Sequence, residues 1–254
     1  MAAALLTERL GSGQTLFLGW VGLPEPLIAE LVAQSDFDCV CLEAQHALHH
    51  DESIMRGITA VTLTGKPAVV RIPVGDNALA SRVLDLGAEA VIAPMVNSVA
   101  DAEALVAATK YPPLGERSWG PVRAMALKGI DPATQLATAN RDTMAIAMVE
   151  TPAALDRLDD ILAVDGIDGI FAGPSDLSVT LSEGRKFDPF SDEVTAVLRR
   201  IAERTLAVDK IPCAFAATSK RAHEFREIGY RLIAIGSDQR YLADGIDLAL
   251  KAVR

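Results

Sequence analysis

The chain alternates between short, continuously apolar segments and longer segments with helical periodicity. Eight apolar segments are candidate strands, and their lack of alternation is typical of parallel strands covered on both faces. These segments are residues 16–21, 39–43, 67–72, 90–95, 144–150, 169–172, 212–216 and 232–235. The candidate amphipathic helices are residues 26–34, 53–64, 78–86, 100–110, 152–164, 192–208, 220–228 and 241–253.

Eight strands, each followed by a helix, predict an α/β fold, a (β/α)8 TIM barrel in which residues 1–254 form one domain. An open doubly wound sheet is the alternative, but it usually has fewer strands and a glycine-rich turn after the first strand. Here Gly11-Ser12-Gly13 precedes the first strand instead. The segment 112–143, rich in proline and glycine, is predicted to be a long loop over the active face.

Composition and charge narrow the classes of function. The chain has 254 residues, of which 50% are hydrophobic and 23% charged, as expected for an ordered globular protein. A net charge of −10 argues against a nucleic-acid partner, but a buried arginine can still bind a small anion. Three cysteines and the absence of an apolar stretch of about 18 residues predict no disulfide framework, no signal peptide and no membrane partner. We therefore expect a cytoplasmic protein.

Polar residues occur where several predicted strands end, which in a barrel is the catalytic face. Glu150 and Asp176 follow the fifth and sixth strands, so neighbouring strands would bring their carboxylates together. Two carboxylates, with water and substrate oxygens, suit Mg²⁺ or Mn²⁺. The alternatives are solvated carboxylates at the rim or, for Asp176, a helix N-cap.

Arg71 lies inside an apolar strand, where its charge needs a partner. An ion pair with Glu43 or Glu150 would satisfy the guanidinium, and so would an oxyanion that develops during a reaction. The residue pattern leaves both interpretations open.

Four histidines are candidate bases or ligands, of which His223 is expected on the surface of a late helix. His46 lies nearest the rim, whereas His49 and His50 are expected in a solvated loop, and this cluster lacks a further zinc ligand at suitable spacing. Asp85 ends an apolar helix, an unfavourable place for an acid in the field of the helix dipole. Its position predicts a specific partner, and an imidazole is one candidate.

Six motifs together resemble the HpcH/HpaI aldolase family, most closely its class II, metal-dependent 4-hydroxy-2-oxoheptanedioate aldolase branch. The resemblance covers nearly the whole chain. Its motifs are Leu42-Glu43-Ala44-Gln45-His46-Ala47, Val70-Arg71-Ile72-Pro73, Val83-Leu84-Asp85-Leu86-Gly87-Ala88, Lys110-Tyr111-Pro112-Pro113-Leu114-Gly115-Glu116-Arg117, Val149-Glu150-Thr151 and Ala172-Gly173-Pro174-Ser175-Asp176-Leu177-Ser178.

The resemblance implies a TIM barrel of the phosphoenolpyruvate/pyruvate type that assembles as a homo-hexamer, a dimer of trimers. It implies reversible cleavage of 4-hydroxy-2-oxo acids to pyruvate, or a related 2-oxo acid such as hydroxypyruvate, and an aldehyde. A divalent metal ion would be the cofactor, Mg²⁺ or Mn²⁺ first, with Co²⁺, Ni²⁺ or Zn²⁺ as alternatives.

The same resemblance suggests a role for each matching residue. Glu150 and Asp176 match the metal ligands, and His46 matches the general base. The remaining assignments are Arg71 as the residue that stabilises the transition state, Asp85 as the acid that raises the basicity of the histidine, and Ser175, with Gly173 and Pro174, as the binding site of the pyruvate carboxylate. Trp20, at the end of the first strand, completes the predicted substrate contacts.

The chain departs from the family pattern in the half of the site that would bind the aldehyde. Gln45 replaces the usual glutamate, Met148 stands where a glutamine is common, and the loop 118–123 differs, so that Arg123 is a candidate contact for an acidic or polyhydroxylated aldehyde. Three other functions remain alternatives: a Schiff-base aldolase, which would need a lysine within a strand, an acyl-CoA ester lyase of the citrate-lyase type, and a non-catalytic barrel that binds 2-oxo acids.

Overall fold

A computed structural model describes residues 5–254 of the chain. Within that range, eight parallel strands close into a barrel in chain order, from β1 to β8 and back to β1. The strands are β1 Leu16–Val21, β2 Cys39–Glu43, β3 Ala68–Arg71, β4 Ala90–Ala93, β5 Met144–Val149, β6 Gly169–Ala172, β7 Ile211–Ala216 and β8 Leu232–Ile235. The predicted (β/α)8 barrel is therefore confirmed.

Thirteen helices occur within residues 5–254, more than the eight predicted. They are α1 Leu6–Gly11, α2 Pro26–Gln34, α3 Asp51–Leu63, α4 Asn77–Leu86, α5 Val99–Thr109, α6 Val122–Lys128, α7 Pro132–Asp142, α8 Pro152–Asp156, α9 Leu158–Leu162, α10 Pro174–Leu181, α11 Asp192–Leu206, α12 Ser219–Ile228 and α13 Asp238–Lys251. The predicted helix 152–164 is divided into α8 and α9 because Arg157 has a non-helical backbone, with φ −109° and ψ 9°.

The barrel has two apolar layers, which explains why its strands are apolar without alternation. Side chains such as Leu18, Val69 and Ile146 pack together inside the barrel. Their strand neighbours, such as Val40 and Val70, pack outward against the helices. Since successive strand residues point to opposite faces, burial of both faces requires an apolar residue at nearly every position.

The segment 112–143 does not lie over the active face, so that prediction was wrong. Helix α5 runs antiparallel to the strands and therefore ends at their amino ends, where the segment begins. Lys110 forms a 2.7 Å ion pair with Asp168, the residue directly before β6. The segment also contains two helices, α6 and α7, rather than a continuous loop.

In the described part of the chain, none of the helices combines the length and apolar character needed to span a bilayer.

Candidate active site

A pocket of about 220 Å³ opens at the carboxyl ends of the strands. Seven of the predicted site residues line it, together with Met148, Phe171 and Phe215; the seven are Trp20, His46, Arg71, Gly173, Pro174, Ser175 and Asp176. The pocket lies below the usual range of about 300–1,000 Å³ for drug-sized ligands. Its size therefore suits a small acid.

Glu150 is not itself a lining residue of this pocket, but it lies directly behind Gly173, which is. Its Oε1 atom accepts a 2.8 Å hydrogen bond from the main-chain N–H of Met95. Burial, together with the neighbouring Asp176 carboxylate, raises the pKa of Glu150 to about 7, although the Met95 hydrogen bond and the charge of Arg71 act in the opposite direction. The two acids therefore form a pair with excess negative charge.

The surroundings of this carboxylate pair fit a hard divalent cation. Hard cations bind carboxylate oxygens, and a cation would offset the burial and the repulsion by Asp176, which together raise the pKa of Glu150. Gly173 leaves the space open, because a Cβ atom there would lie 2.6 Å from Oε2 of Glu150. Within residues 5–254 no three His, Cys, Asp or Glu side chains converge as metal ligands. The remaining ligands would therefore be substrate and water oxygens.

The start of α10 offers hydrogen-bond donors to the same pocket. Gly173 is the N-cap and Pro174 the first helical residue. The N–H groups of Ser175 and Asp176 lie in the first turn, where a helix provides no partner for them. A helix N-terminus with free N–H groups is suited to an anion such as a carboxylate.

Arg71 has an ionic partner and also faces the pocket. Its Nε atom donates to Oε2 of Glu43, which lies opposite it on the neighbouring strand. The guanidinium lies 5.0 Å from the ring centroid of Trp20. Of the two partners that the sequence left open, the structure selects Glu43, while Arg71 remains a lining residue of the pocket.

Glu43 also positions the segment that carries His46. Its Oε1 atom accepts hydrogen bonds from the main-chain N–H groups of Gln45, at 2.6 Å, and of His46, at 3.1 Å. One buried carboxylate thus holds both Arg71 and the backbone of His46. The His46 ring itself is exposed and lines the pocket, which leaves it free to exchange a proton with a ligand.

The two histidines that follow have other surroundings. Nδ1 of His49 lies 3.0 Å from the Ser53 hydroxyl, and burial lowers the pKa of this histidine. His50 is the exposed residue that precedes α3. Neither ring lines the pocket.

Asp85 does not contact His46 within the chain. It lies at the end of α4, near the amino ends of the strands, and its Oδ1 atom accepts a 2.6 Å hydrogen bond from Arg117. The specific partner expected for Asp85 is therefore present, but it is an arginine and not an imidazole. Arg123 is also remote from the pocket, since it is exposed and donates to Thr59 on α3.

Three side chains of the pocket were not assigned to substrate binding by sequence reasoning. Phe171 and Phe215 pack around Trp20, with ring centroids 5.9 and 5.3 Å away, and Met148 places its sulfur 4.0 Å from Arg71. Their inward positions on β5, β6 and β7 are the sequence feature from which their place in the pocket could have been predicted. No lysine of the described chain lines the pocket, and Lys110, which is buried, lies at the other end of the barrel.

Comparison with known proteins agrees with this geometry. The family model of the HpcH/HpaI aldolase/citrate lyase family matches residues 16–244. A hydroxypyruvate/pyruvate aldolase from Pseudomonas aeruginosa is 35% identical over 92% of this chain and 87% of its own length. A 2-keto-3-deoxy-L-rhamnonate aldolase from Escherichia coli is 32% identical over 97% of this chain and 93% of its own.

A solved structure has the same architecture. A HpcH/HpaI aldolase/citrate lyase family protein from Burkholderia cenocepacia superimposes with a TM-score of 0.89, at 30% identity, over 98% of both chains. The chain belongs to the HpcH/HpaI aldolase/citrate lyase family, which confirms the predicted resemblance. Both of these curated relatives are named aldolases, and the chain is accordingly a carbon–carbon lyase of the pyruvate or hydroxypyruvate aldolase type.

Proposed function

We propose that this protein is a metal-dependent class II aldolase that cleaves 4-hydroxy-2-oxo acids to an aldehyde and pyruvate or hydroxypyruvate. The observation that carries the proposal is a pair of neighbouring acids: Asp176 lines the pocket with His46 and Arg71, and Glu150 lies beside Asp176, directly behind the lining residue Gly173. A barrel that only bound 2-oxo acids would not need a base and an arginine beside a metal site.

Each group of the pocket has a chemical role in this reaction. Glu150 and Asp176 hold the divalent cation, preferably Mg²⁺ or Mn²⁺, which supplies Lewis-acid polarisation of the substrate when bound. The free N–H groups of Ser175 and Asp176 bind the substrate carboxylate. The apolar wall, which includes Trp20, excludes water from the reacting atoms.

The protein's own side chains move the proton and stabilise charge. His46 takes the proton of the 4-hydroxyl as the bond between C3 and C4 breaks, and the aldehyde leaves. Arg71, held in place by Glu43, faces the oxygen on which negative charge develops. A proton then returns to C3 of the 2-oxo acid.

The proposal is tested by measuring release of pyruvate or hydroxypyruvate from a panel of 4-hydroxy-2-oxo acids. We expect a chelator to abolish turnover and Mn²⁺ or Mg²⁺ to restore it. The Glu150→Ala and Asp176→Ala variants should show no recovery. Full turnover in the presence of the chelator, or an adduct trapped by borohydride, would contradict the metal mechanism. Cleavage of acyl-CoA esters instead would favour the citrate-lyase alternative.

The same proposal includes assembly into a homo-hexamer. Helix α13 carries an apolar stripe with four-residue spacing, Leu242, Ile246 and Leu250, and all three side chains are exposed. Such a stripe on a helix usually packs against another surface. Light scattering should give the mass of six chains, and replacement of Leu242 and Ile246 by glutamate should produce smaller species. An unchanged mass for that variant would contradict a role for α13.

Assembly would also reconcile the role that the resemblance suggests for Asp85 with its position. Within one chain, Asp85 and His46 lie at opposite ends of the barrel, and the side chain of Asp85 is 25% exposed beside Arg117. Asp85 would therefore act on the His46 of a neighbouring copy.

Mixed oligomers test this arrangement. Co-expression of His46→Ala and Asp85→Asn chains should restore activity above that of either parent, because some sites would then hold both native residues. Co-expression of the native chain with the double variant provides the reference for a mixed population. Mixtures of the two single variants that stay as inactive as their parents would contradict the arrangement.

A further inference from the structure

The hydroxyl of Thr180 lies between the main chains of the two predicted metal ligands. Thr180 belongs to the last turn of α10, and its Oγ1 atom is 3.0 Å from the carbonyl oxygen of Glu150. The same atom is 2.9 Å from the carbonyl oxygen of Asp176. One hydroxyl therefore reaches both the end of β5 and the first turn of α10.

The hydroxyl has a single proton, and the Glu150 carbonyl is its more favourable acceptor. The Asp176 carbonyl is four residues before Thr180 and receives the main-chain N–H of Thr180 in the regular helix pattern. Within residues 5–254 the Glu150 carbonyl has no other donor than Thr180. A carbonyl left unpaired in a buried strand end is costly. We therefore assign the hydrogen bond of the Thr180 hydroxyl to the main-chain carbonyl oxygen of Glu150.

This contact joins two elements that are separate in the chain. Glu150 follows β5 and Asp176 belongs to α10, so the distance between the two carboxylates depends on how those elements are held together. The Met95 N–H already orients the side chain of Glu150. The Thr180 hydroxyl acts on the backbone instead.

We propose that Thr180 is a positioning residue that sets the separation of the Glu150 and Asp176 carboxylates, so that metal affinity depends on its hydroxyl. The inference rests on the proposed function, in which these acids hold the cation. The simpler interpretation is local, because threonines inside helices often bond to the carbonyl four residues earlier without wider effect. The two interpretations differ in what removal of the hydroxyl does to the metal.

The experiment measures the dissociation constant of Mn²⁺ for the substrate-free protein by titration calorimetry. Thr180→Val removes the hydroxyl and keeps the shape of the side chain. We expect it to weaken Mn²⁺ binding by about tenfold, within the range known for groups that support metal ligands. Thr180→Ser retains the hydroxyl and should bind Mn²⁺ within about threefold of the native chain.

Thr62→Val is the matched control. Thr62 makes the local bond alone, from its Oγ1 atom to the carbonyl oxygen of Ile58 at 2.8 Å on α3. Its replacement should leave Mn²⁺ affinity unchanged, although it removes the same type of hydrogen bond. Thermal unfolding of each variant establishes that the protein measured is folded, and Thr180→Ala replaces Thr180→Val if the latter does not fold.

The outcomes separate this inference from the proposed function. Native Mn²⁺ affinity in folded Thr180→Val or Thr180→Ala, together with lost affinity in Glu150→Gln, would overturn the role of Thr180 and leave the metal site intact. Native affinity in Glu150→Gln would overturn both. Weakened affinity in the variants without the hydroxyl, with recovery in Thr180→Ser, supports the inference.

Discussion

Two buried charges at opposite ends of the barrel, Lys110 and Glu150, have opposite surroundings. At the amino ends of the strands, Lys110 is fully buried, and its ammonium group meets Asp168 at 2.7 Å and the carbonyl oxygens of Asn140 and Thr143 at 2.9 and 2.6 Å. At the carboxyl ends, the buried carboxyl of Glu150 has another acid beside it, and its pKa rises to about 7. The charge of Lys110 is fully partnered, whereas the charge of Glu150 is not.

The difference shows how the barrel divides its tasks. A complete set of partners, as around Lys110, holds α5, α7 and β6 together and leaves no bonding capacity for a ligand. At the rim, the carboxylates of Glu150 and Asp176 lack a cationic partner, which lowers the stability of the ligand-free protein. The same carboxylates can bind a cation, and the free N–H groups of α10 can bind a carboxylate. Substitutions at the rim should therefore change chemistry, and substitutions at the opposite end should change stability.

The largest effect is expected at the rim. His46→Ala should lower kcat for aldol cleavage by roughly 10²–10⁴-fold, the usual contribution of a general base, with little change in thermal stability because the ring is exposed. His50→Ala, an exposed histidine four residues later, should retain native kcat. Steady-state kinetics measure kcat, and thermal unfolding measures the stability of each variant. A native kcat in His46→Ala would mean that another residue is the general base.

At the opposite end, Lys110→Met should act on stability alone. Removing the ammonium group leaves two carbonyls without a donor and leaves Asp168 with the N–H of Ala145 alone. Loss of one member of a buried pair costs about 3–5 kcal/mol, and the 30% exposure of Asp168 places the expected loss near the lower end of that range. Denaturant unfolding measures this loss, while kcat per folded molecule should stay native. Lys186→Met, which removes an exposed pair with Asp188, should leave the unfolding free energy unchanged. A selective loss of kcat in Lys110→Met would contradict the assignment of stability, and not catalysis, to this end of the barrel.

A pH-dependent effect at Glu150 sharpens the comparison. The folded state holds the pKa of Glu150 at about 7, above the ordinary value of 4.5. Between these two pH values Glu150 is ionised in the unfolded chain but still protonated in the folded one. The metal-free fold therefore loses stability as pH rises, and the full cost is present above pH 7. Below the ordinary value both states are protonated and there is no cost.

Glu150→Gln removes that charge. In the metal-free protein it should raise the unfolding free energy by about 3 kcal/mol at pH 8, from about 1.4 kcal/mol per pKa unit, and by little near pH 4. Denaturant unfolding at both pH values, with a chelator present, measures the difference. Glu103→Gln, on the exposed face of α5, should give no such gain. Equal effects at both pH values would mean that the charge of Glu150 is not the source of the cost.

Much of the fold could be predicted because it depends on local patterns. Burial on both faces requires continuous apolar segments, and the bounds of β1, β2, β6 and β8 agree with the predicted ones. Helices α6 and α7 were missed because the prolines and glycines of 112–143 mask short helical segments. The placement of that segment over the active face was wrong because a connection that follows a helix of the barrel returns to the amino ends of the strands.

The candidate site was predictable as far as it lies at strand ends. Seven predicted residues line one pocket because parallel strands place their carboxyl ends at one rim. The partners were less predictable, since Asp85 meets Arg117 only through the path that the chain takes after α5. Whether Asp85 also serves a second copy stays a prediction.

The sequence by itself determined the eight strands, the barrel and the polar residues at its rim, because periodicity and strand direction are local properties of the chain. Only the tertiary structure decided that Arg71 pairs with Glu43 and Lys110 with Asp168. It also decided that Glu150 lies beside Asp176, with no ion-pair partner among residues 5–254. It also decided that one threonine hydroxyl reaches the backbone of both predicted ligands. Apart from the bond of Thr180 within its own helix, these contacts join residues far apart in the chain, so they exist only once the barrel has closed.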